Sequence, residues 1–265
     1  MSLKLTILGC GPSGGVPRIG NHWGACDAAN PKNRRRRCSV LVEQEGGEGT
    51  TTVLVDTSPD LREQLLAADV GLVDGVLFTH DHADHTHGID DLRMIAFNAH
   101  RRVAIYHDAA TGRLLNERFA YCFHTPPGSP YQPILDPHEI RAGEMVRIEG
   151  AGGALDIMPF RQRHADGETL GFRFRDIAYS PDVSDLPEDS LAHLQGLDVW
   201  IIDALRYTPH PSHFSVDQAL AWIARVKPKR AVLTHMHLDL DYETLKDALP
   251  EGVEPAYDGM VIESD

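Results

Sequence analysis

No run of 20 apolar residues occurs in this 265-residue chain. A helix needs about that many to cross a bilayer, so no membrane span is expected. The start also lacks the long apolar region and small-residue cleavage site of a secretory leader. Instead Leu3-Lys4-Leu5-Thr6-Ile7-Leu8 alternates and runs straight into glycine, as a first strand does. A cytoplasmic location is therefore expected. The four cysteines (Cys10, Cys26, Cys38 and Cys122) form no CxxC pair, which predicts free thiols rather than a disulfide framework. Positive charge is scarce: 25 lysines and arginines stand against 39 acidic residues, a formal net charge of −14. That excludes a general surface for extended nucleic acid, which needs a basic face to meet phosphates. Small anions stay open, because local geometry can overrule the total charge.

What the chain does contain is 42% hydrophobic residues, ample for a buried core, and 15 histidines. Short apolar segments alternate with helical patterns throughout, so residues 1–265 read as one α/β domain. The pattern predicts strands at 3–9, 38–44, 51–57, 75–79, 103–107, 144–149, 154–160, 169–175, 177–180, 198–203, 230–234 and 259–262. Glycine-rich turns such as Gly46-Gly47-Glu48-Gly49 suit antiparallel neighbours early in the chain, with helices interleaved later. Ser215-Val216-Asp217-Gln218 has the form of a capping box. Ala219, Trp222, Ile223 and Val226 follow at helical spacing until Lys227-Pro228 ends the helix. Further helices are expected at 60–68 and 111–122, and the Pro-rich stretch 125–130 as an irregular connection. Two strand-helix halves of similar length suit a two-sheet sandwich covered by helices.

The chemistry concentrates where the predicted strand Gly75-Val76-Leu77-Phe78-Thr79 runs into His80-Asp81-His82-Ala83-Asp84-His85. Alternate side chains of an extended segment point the same way, so His80 and His82 can reach one metal ion. Asp84 and His85, at the turn into a helix, can address a second. Closely spaced ligands of this kind define metal sites, whereas an HExxH site fails for want of its glutamate. Imidazole suits zinc and carboxylate extends the range toward manganese, so the expectation is two divalent ions, Zn2+ or Mn2+. Four local ligands do not complete two ions. His164, Asp182 and His235 each follow a strand-like segment and are the further candidates, with Asp182 able to bridge.

The set His80, His82, Asp84, His85, His164, Asp182 and His235 resembles the HxHxDH motif and distant His, Asp and His ligands of the metallo-β-lactamase superfamily. This resemblance spans nearly the whole chain. It implies an αβ/βα four-layer sandwich, two β-sheets flanked by helices, with the site at one edge between the sheets. A narrower likeness lies in Leu8-Gly9-Cys10-Gly11-Pro12-Ser13-Gly14-Gly15-Val16-Pro17, and in Tyr179-Ser180-Pro181-Asp182-Val183 paired with His213 ahead of a helix. Both are similar to the PhnP-like phosphodiesterases, which open a phosphoribosyl 1,2-cyclic phosphate. That likeness implies a small anionic phosphodiester as substrate, with Asp84 orienting the nucleophile and His213 acting at the leaving oxygen from outside the ligand set. Members of that branch can carry a cysteine-rich zinc site after the first strand. Here the segment holds Cys26 alone, so no third, structural metal is expected. A homodimer is compatible with the sequence, which carries no signature of oligomeric state, and no residue is assigned to substrate binding.

Some features admit two readings. Asp203 suits either a carboxylate that holds a ligand histidine in its tautomer or an ordinary strand-end residue. The glycines of 9–15 suit either tight turns or close approach of backbone amides to a phosphate. Arg34-Arg35-Arg36-Arg37 is expected to be solvated surface, with a substrate-phosphate clamp as the alternative. His237, two residues beyond His235, is the background histidine best placed to join the site. Among competing functions, a transfer-RNA 3′-processing nuclease would need a basic arm, and a lactam hydrolase that degrades antibiotics would be secreted. An oxygen-reducing di-iron flavoprotein would carry glutamate where His82 stands. A thioester hydrolase and a pyrroloquinoline quinone biosynthesis protein share the motif and stay open.

Overall fold

The computed structural model describes residues 2–264. Fourteen strands divide equally between two mixed sheets. The first sheet contains β1 (Leu3–Gly9), β2 (Ser39–Gly46), β3 (Gly49–Val55), β4 (Gly75–Leu77), β5 (Val103–His107), β6 (Leu135–Glu139) and β14 (Val261–Ser264). Its order is β14-β1-β2-β3-β4-β5-β6, antiparallel as far as β3 and parallel from β3 to β6. The second sheet contains β7 (Val146–Ile148), β8 (Leu155–His164), β9 (Gly167–Phe174), β10 (Ile177–Ser180), β11 (Val199–Asp203), β12 (Arg230–Thr234) and β13 (Val253–Pro255). It repeats the scheme, antiparallel through β7-β8-β9-β10 and parallel through β10-β11-β12-β13.

The strand alternation explains why two sheets form layers. In β2 and β3, Val40, Val42, Val53 and Val55 face one way and share a buried cluster with Phe172, Phe174 and Tyr179 of the second sheet. Leu41 and Leu54 face the other way and join a separate cluster with Leu61, Leu92, Ile95 and Leu115. Those four belong to helices α1 (Leu61–Ala67), α3 (Leu92–Ala99) and α4 (Ala109–Arg118), α2 being the single turn Ala83–Thr86. Helix α5 (Ala120–Phe123) adds Cys122 and Phe123 to this outer layer. On the second sheet, Val216, Ala219 and Val226 of α6 (Val216–Val226) and Leu245 of α7 (Tyr242–Ala248) share the cluster of Trp200 and Val232. This is the sandwich the sequence led us to expect.

The capping box forms as read: the Ser215 hydroxyl accepts from the Gln218 amide, and the Gln218 side chain accepts from the Ser215 amide at 2.9 Å. The single helix expected at 111–122 is instead two. The Asp108 carboxylate caps α4 by accepting from the Thr111 amide at 2.7 Å, and the backbone leaves helical geometry at Phe119. Two strands, β6 and β13, escaped the sequence pattern because each is a sheet edge. β6 carries a proline and four exposed residues, which erases the apolar signature. Helices α3 and α7 were also unforeseen; α3 leaves Met94 and Phe97 in solvent, so its apolar residues do not form one stripe.

Candidate metal centre

Strand ends from both sheets converge at one edge of the sandwich. His80 lies just past β4, His164 ends β8, Asp182 lies just past β10, Asp203 ends β11 and His235 directly follows β12. His82 precedes the α2 turn, which carries Asp84 and His85. Ligand-atom positions gather His80, His82, His164 and Asp182 in one group that could hold a metal ion, and Asp84, His85 and His235 in another. All seven residues singled out in the sequence are therefore brought together.

Asp182 stands between the two groups. Its Oδ2 lies 3.7 Å from His80 Nε2 and 3.6 Å from His164 Nε2. Its Oδ1 lies 3.0 Å from His85 Nε2 and 3.5 Å from His235 Nε2. Asp84 Oδ2 completes the second group, at 3.6 Å from His85 Nε2 and 3.7 Å from His235 Nε2. One carboxylate thus offers a different oxygen to each set of imidazoles.

Three of the ring nitrogens facing away from this centre are tied down, which fixes the tautomers of His80, His85 and His164. His85 Nδ1 donates to Asp56 Oδ2 at 2.7 Å, and His164 Nδ1 donates to the Ser212 carbonyl at 2.7 Å. Thr79 Oγ1 gives its proton to Asp56 Oδ2 at 2.8 Å, so it can only accept from His80 Nδ1, 2.9 Å away. In the neutral rings the Nε2 lone pairs of all three then point inward, as metal ligation requires. Asp56 and Thr79 had not been picked out in the sequence. The available signal in the sequence was a carboxylate closing the apolar run Val53-Leu54-Val55; in the structure Asp56 has a φ of 63°. His235 also has a left-handed backbone, with φ of 58°. Such conformations in residues other than glycine concentrate at functional sites.

Do these residues fit a cation? Among the described residues, the buried atoms His80 Nε2, His85 Nε2, His235 Nε2 and Asp182 Oδ1 have no hydrogen-bond partner. His85 Nε2 and Asp182 Oδ1, although close, are not aligned for one. An unpaired buried polar group costs about 1–3 kcal/mol, so several aimed at one another describe a place for positive charge. Burial, with the neighbouring His85, pushes His80 well below its ordinary value, and burial holds His164 at about 4. Both are thereby kept as neutral ligands. Burial also disfavours charge on His85, but Asp182, Asp56 and Asp84 outweigh it and raise that group. The donor set fits divalent metal binding.

His213 reaches the same centre from the loop ahead of α6. Its Nδ1 donates to Asp203 Oδ2 at 2.7 Å, and its Nε2 lies 3.9 Å from Asp182 Oδ2. Asp203 is fully buried and also accepts from the Val183 amide at 3.1 Å. Of the two readings of Asp203, the structural one that holds is a carboxylate orienting a histidine, but the histidine is His213. His235 Nδ1 is 3.9 Å from Asp203 Oδ1, beyond hydrogen-bond reach.

The arginine run is not the solvated surface that was expected. Arg35 is 2% exposed and donates to the carbonyls of Leu240 and His237 at 2.6 and 3.1 Å. Arg36 pairs with Asp258 and Arg37 with Asp60, each at 3.0 Å, and Arg34 lies over the Trp23 ring. These contacts stitch the first loop to the rest of the fold, and the negative partners explain why so much positive charge is tolerated there. Gly9 and Gly11 belong to the same seam: a Cβ on either would meet the Arg37 or Arg35 carbonyl at 2.0 or 2.9 Å. Close backbone packing, rather than phosphate approach, requires glycine at those two positions. Cys26 lies beneath this loop, buried and free like the other three cysteines.

A two-sheet sandwich with a buried His/Asp cluster at its edge describes a metallo-hydrolase. A model of the beta-lactamase superfamily domain matches residues 51–236, and the chain belongs to that superfamily. It is similar to the crystal structure of a new diphosphatase from the PhnP family, with TM-score 0.89 and 35% identity over 100% of this chain and 98% of that one. It shares its fold with Zn(2+)-bound PqqB from Methylobacterium extorquens, at TM-score 0.75 and 19% identity over 98% and 99% of the two chains. It is also 32% identical over 261 residues to an octanoyltransferase of Porphyromonas gingivalis. That match takes in 97% of this chain but 51% of the relative, so the chain spans about half the length of that protein. Among the described residues no helix is long and apolar enough to cross a membrane.

Proposed function

We propose that the chain is a metal-dependent phosphodiesterase that hydrolyses a small anionic phosphodiester, of which a cyclic ribosyl or nucleotide-like phosphate is the representative case. The observation that carries this reading is the position of His213. It is backed by Asp203 at 2.7 Å and stands beside Asp182 and His235, with which its own ring nitrogen forms a third possible ligand group. Two divalent ions, zinc or manganese, which His80, His82, His164, Asp182, Asp84, His85 and His235 would hold, would supply Lewis acidity and acidify a water. Asp84 would orient the attacking water by accepting its hydrogen. As the new P–O bond forms and the old one breaks, His213 Nε2 gives a proton to the departing oxygen. Burial, partly offset by Asp182 and Asp84, holds His213 below its ordinary value, which makes its charged form a stronger acid. The likeness to a PhnP-family diphosphatase supports cleavage at phosphorus.

The second reading is thioester hydrolysis, favoured by the similarity to an octanoyltransferase. One assay separates the two. Protein loaded with zinc or manganese is offered bis(p-nitrophenyl) phosphate and an octanoyl thioester, beside an Asp84→Ala control. Metal-dependent turnover of the diester, lost in the control, is the expected result. Turnover of the thioester alone would replace the phosphodiesterase reading.

A further inference from the structure

His82 differs from the other candidate ligands in how it is held. It is the exposed member of its group, whereas His80, His164 and Asp182 are buried. Among the described residues its ring nitrogens have no hydrogen-bond partner, while Nδ1 of His80, His85 and His164 is tied down in each case. An exposed side chain turns readily about its torsions, so the backbone must set where this ring can reach. The two peptide units that flank His82 are both fixed. The 82–83 unit is fixed from within the motif, because the His82 carbonyl accepts from Thr86 Oγ1 at 2.9 Å and from the His85 amide at 3.1 Å.

The 81–82 unit is fixed from outside the motif. Arg118, in the last turn of α4, donates through Nη1 to the Asp81 carbonyl, and its Nη2 lies 2.7 Å from Asp81 Oδ2. One planar guanidinium thus grips both main chain and side chain of the residue between His80 and His82. Thr86 Oγ1 adds only a long contact to the same carbonyl, at 3.4 Å. Helix α4 can serve as the support because it is itself anchored. An added Cβ on Gly112 would meet His107 Cε1 at 2.0 Å, so the helix lies directly on the ring that ends β5, the strand beside β4. Leu115 has no exposure to solvent, and Phe119, where α4 ends, sets its ring edge-on to His87 at 5.5 Å. The end of α4 therefore touches the chain on both sides of the α2 turn. The Arg118–Asp81 pair is part-exposed, and such pairs add little to global stability. Its effect is local.

We propose that Arg118 is a positioning residue for the metal centre: it fixes the 81–82 peptide so that His82 reaches an ion shared with His80, His164 and Asp182. It acts through His82 and is not itself a ligand. That an ion binds there rests on the metal-dependent reading above; that Arg118 holds the loop does not. The test measures zinc affinity, by competition with a chromophoric chelator, in wild type, Arg118→Ala, His82→Ala and the double variant. Arg118 is exposed, so its truncation leaves the core intact. Arg118→Ala should bind zinc about tenfold more weakly than wild type, the lower end of what an outer partner of a metal ligand contributes. His82→Ala and the double variant should have equal affinity, since Arg118 then has nothing left to position. Unchanged affinity in Arg118→Ala overturns the proposal, and a raised KM beside it would place Arg118 at the substrate. An equal loss in both backgrounds overturns it too, because that shows an effect on the fold rather than on His82.

A second arm needs no metal. In metal-free protein the His85 amide, bonded to the His82 carbonyl, reports on the loop through hydrogen exchange. It should exchange about tenfold faster in Arg118→Ala, while the amides of β2 and β3 match wild type. Equal exchange in the two proteins overturns the clamp, and faster exchange throughout the fold makes Arg118 a general stabiliser instead. If wild type binds no zinc, the metal-dependent reading fails, and this arm alone decides whether Arg118 holds His82 in place.

Discussion

Nδ1 of His213 lies 2.7 Å from Oδ2 of Asp203, a carboxylate with no exposure to solvent at the end of β11. The pair fixes which nitrogen of His213 faces the metal centre. His213→Ala should lower kcat by about 10²–10⁴-fold, the range for a proton-transfer group. Asp203→Asn should lower kcat by about tenfold or more and move the pH limb belonging to His213, with a smaller change in KM. Metal analysis of both variants should match wild type. Loss of metal in His213→Ala would make that residue a ligand instead.

Asp56 is joined to His85 and, through Thr79, to His80. Removing it leaves both rings free to rotate. Asp56→Ala should weaken metal affinity by about 10–100-fold, measured by competition with a chromophoric chelator. Unchanged affinity would mean that packing alone orients the two histidines.

Several carboxylates and imidazoles meet at the centre with buried atoms unpaired, so metal binding and stability should be linked. Stripping the protein with a chelator should lower Tm, and zinc or manganese at about 1,000 times Kd should restore about 4 kcal/mol. Elemental analysis of the restored protein should find two ions per chain. A single ion would assign the Asp84–His85–His235 group a different task.

Burial would raise the carboxyl of Asp241, but hydrogen bonds from the Thr244 and Asp27 amides and the Asn33 side chain prevail and hold it at about 2. Its ordinary value is 3.8, so its stabilising contribution is complete above that pH and disappears as pH falls through about 2. Acid unfolding followed by circular dichroism should therefore show a shallower pH dependence between these limits in Asp241→Asn. Superimposable curves would remove Asp241 from the acid transition.

Arg35→Ala should destabilise the fold by about 2–4 kcal/mol, since it strands the buried carbonyls of Leu240 and His237. Chemical denaturation measures this directly. A cost below about 0.5 kcal/mol is what the solvated-surface reading requires.

The seven candidate ligands were legible because their chemistry is partly local. Four of them lie within His80–His85, where an extended segment turns into helix α2 and brings their side chains together. His164, Asp182 and His235 showed as polar residues closing apolar runs, and the likeness to a known motif gathered them. The α6 capping box was legible for the same reason, being complete within Ser215–Gln218. Spacing by itself gave the ligand types and suited a two-sheet sandwich, and the resemblance to the metallo-β-lactamase superfamily implied its layers. They did not reach Asp56, whose role depends on β3 lying beside β4, so that a residue 29 positions from His85 accepts from its ring. Nor could they separate Arg35, buried against the carbonyls of Leu240 and His237, from Arg18, which faces a cavity without a carboxylate partner. A charged side chain has the same hydration in every sequence; what it becomes depends on which groups replace the water, and those come from distant strands. Only the tertiary structure decides that.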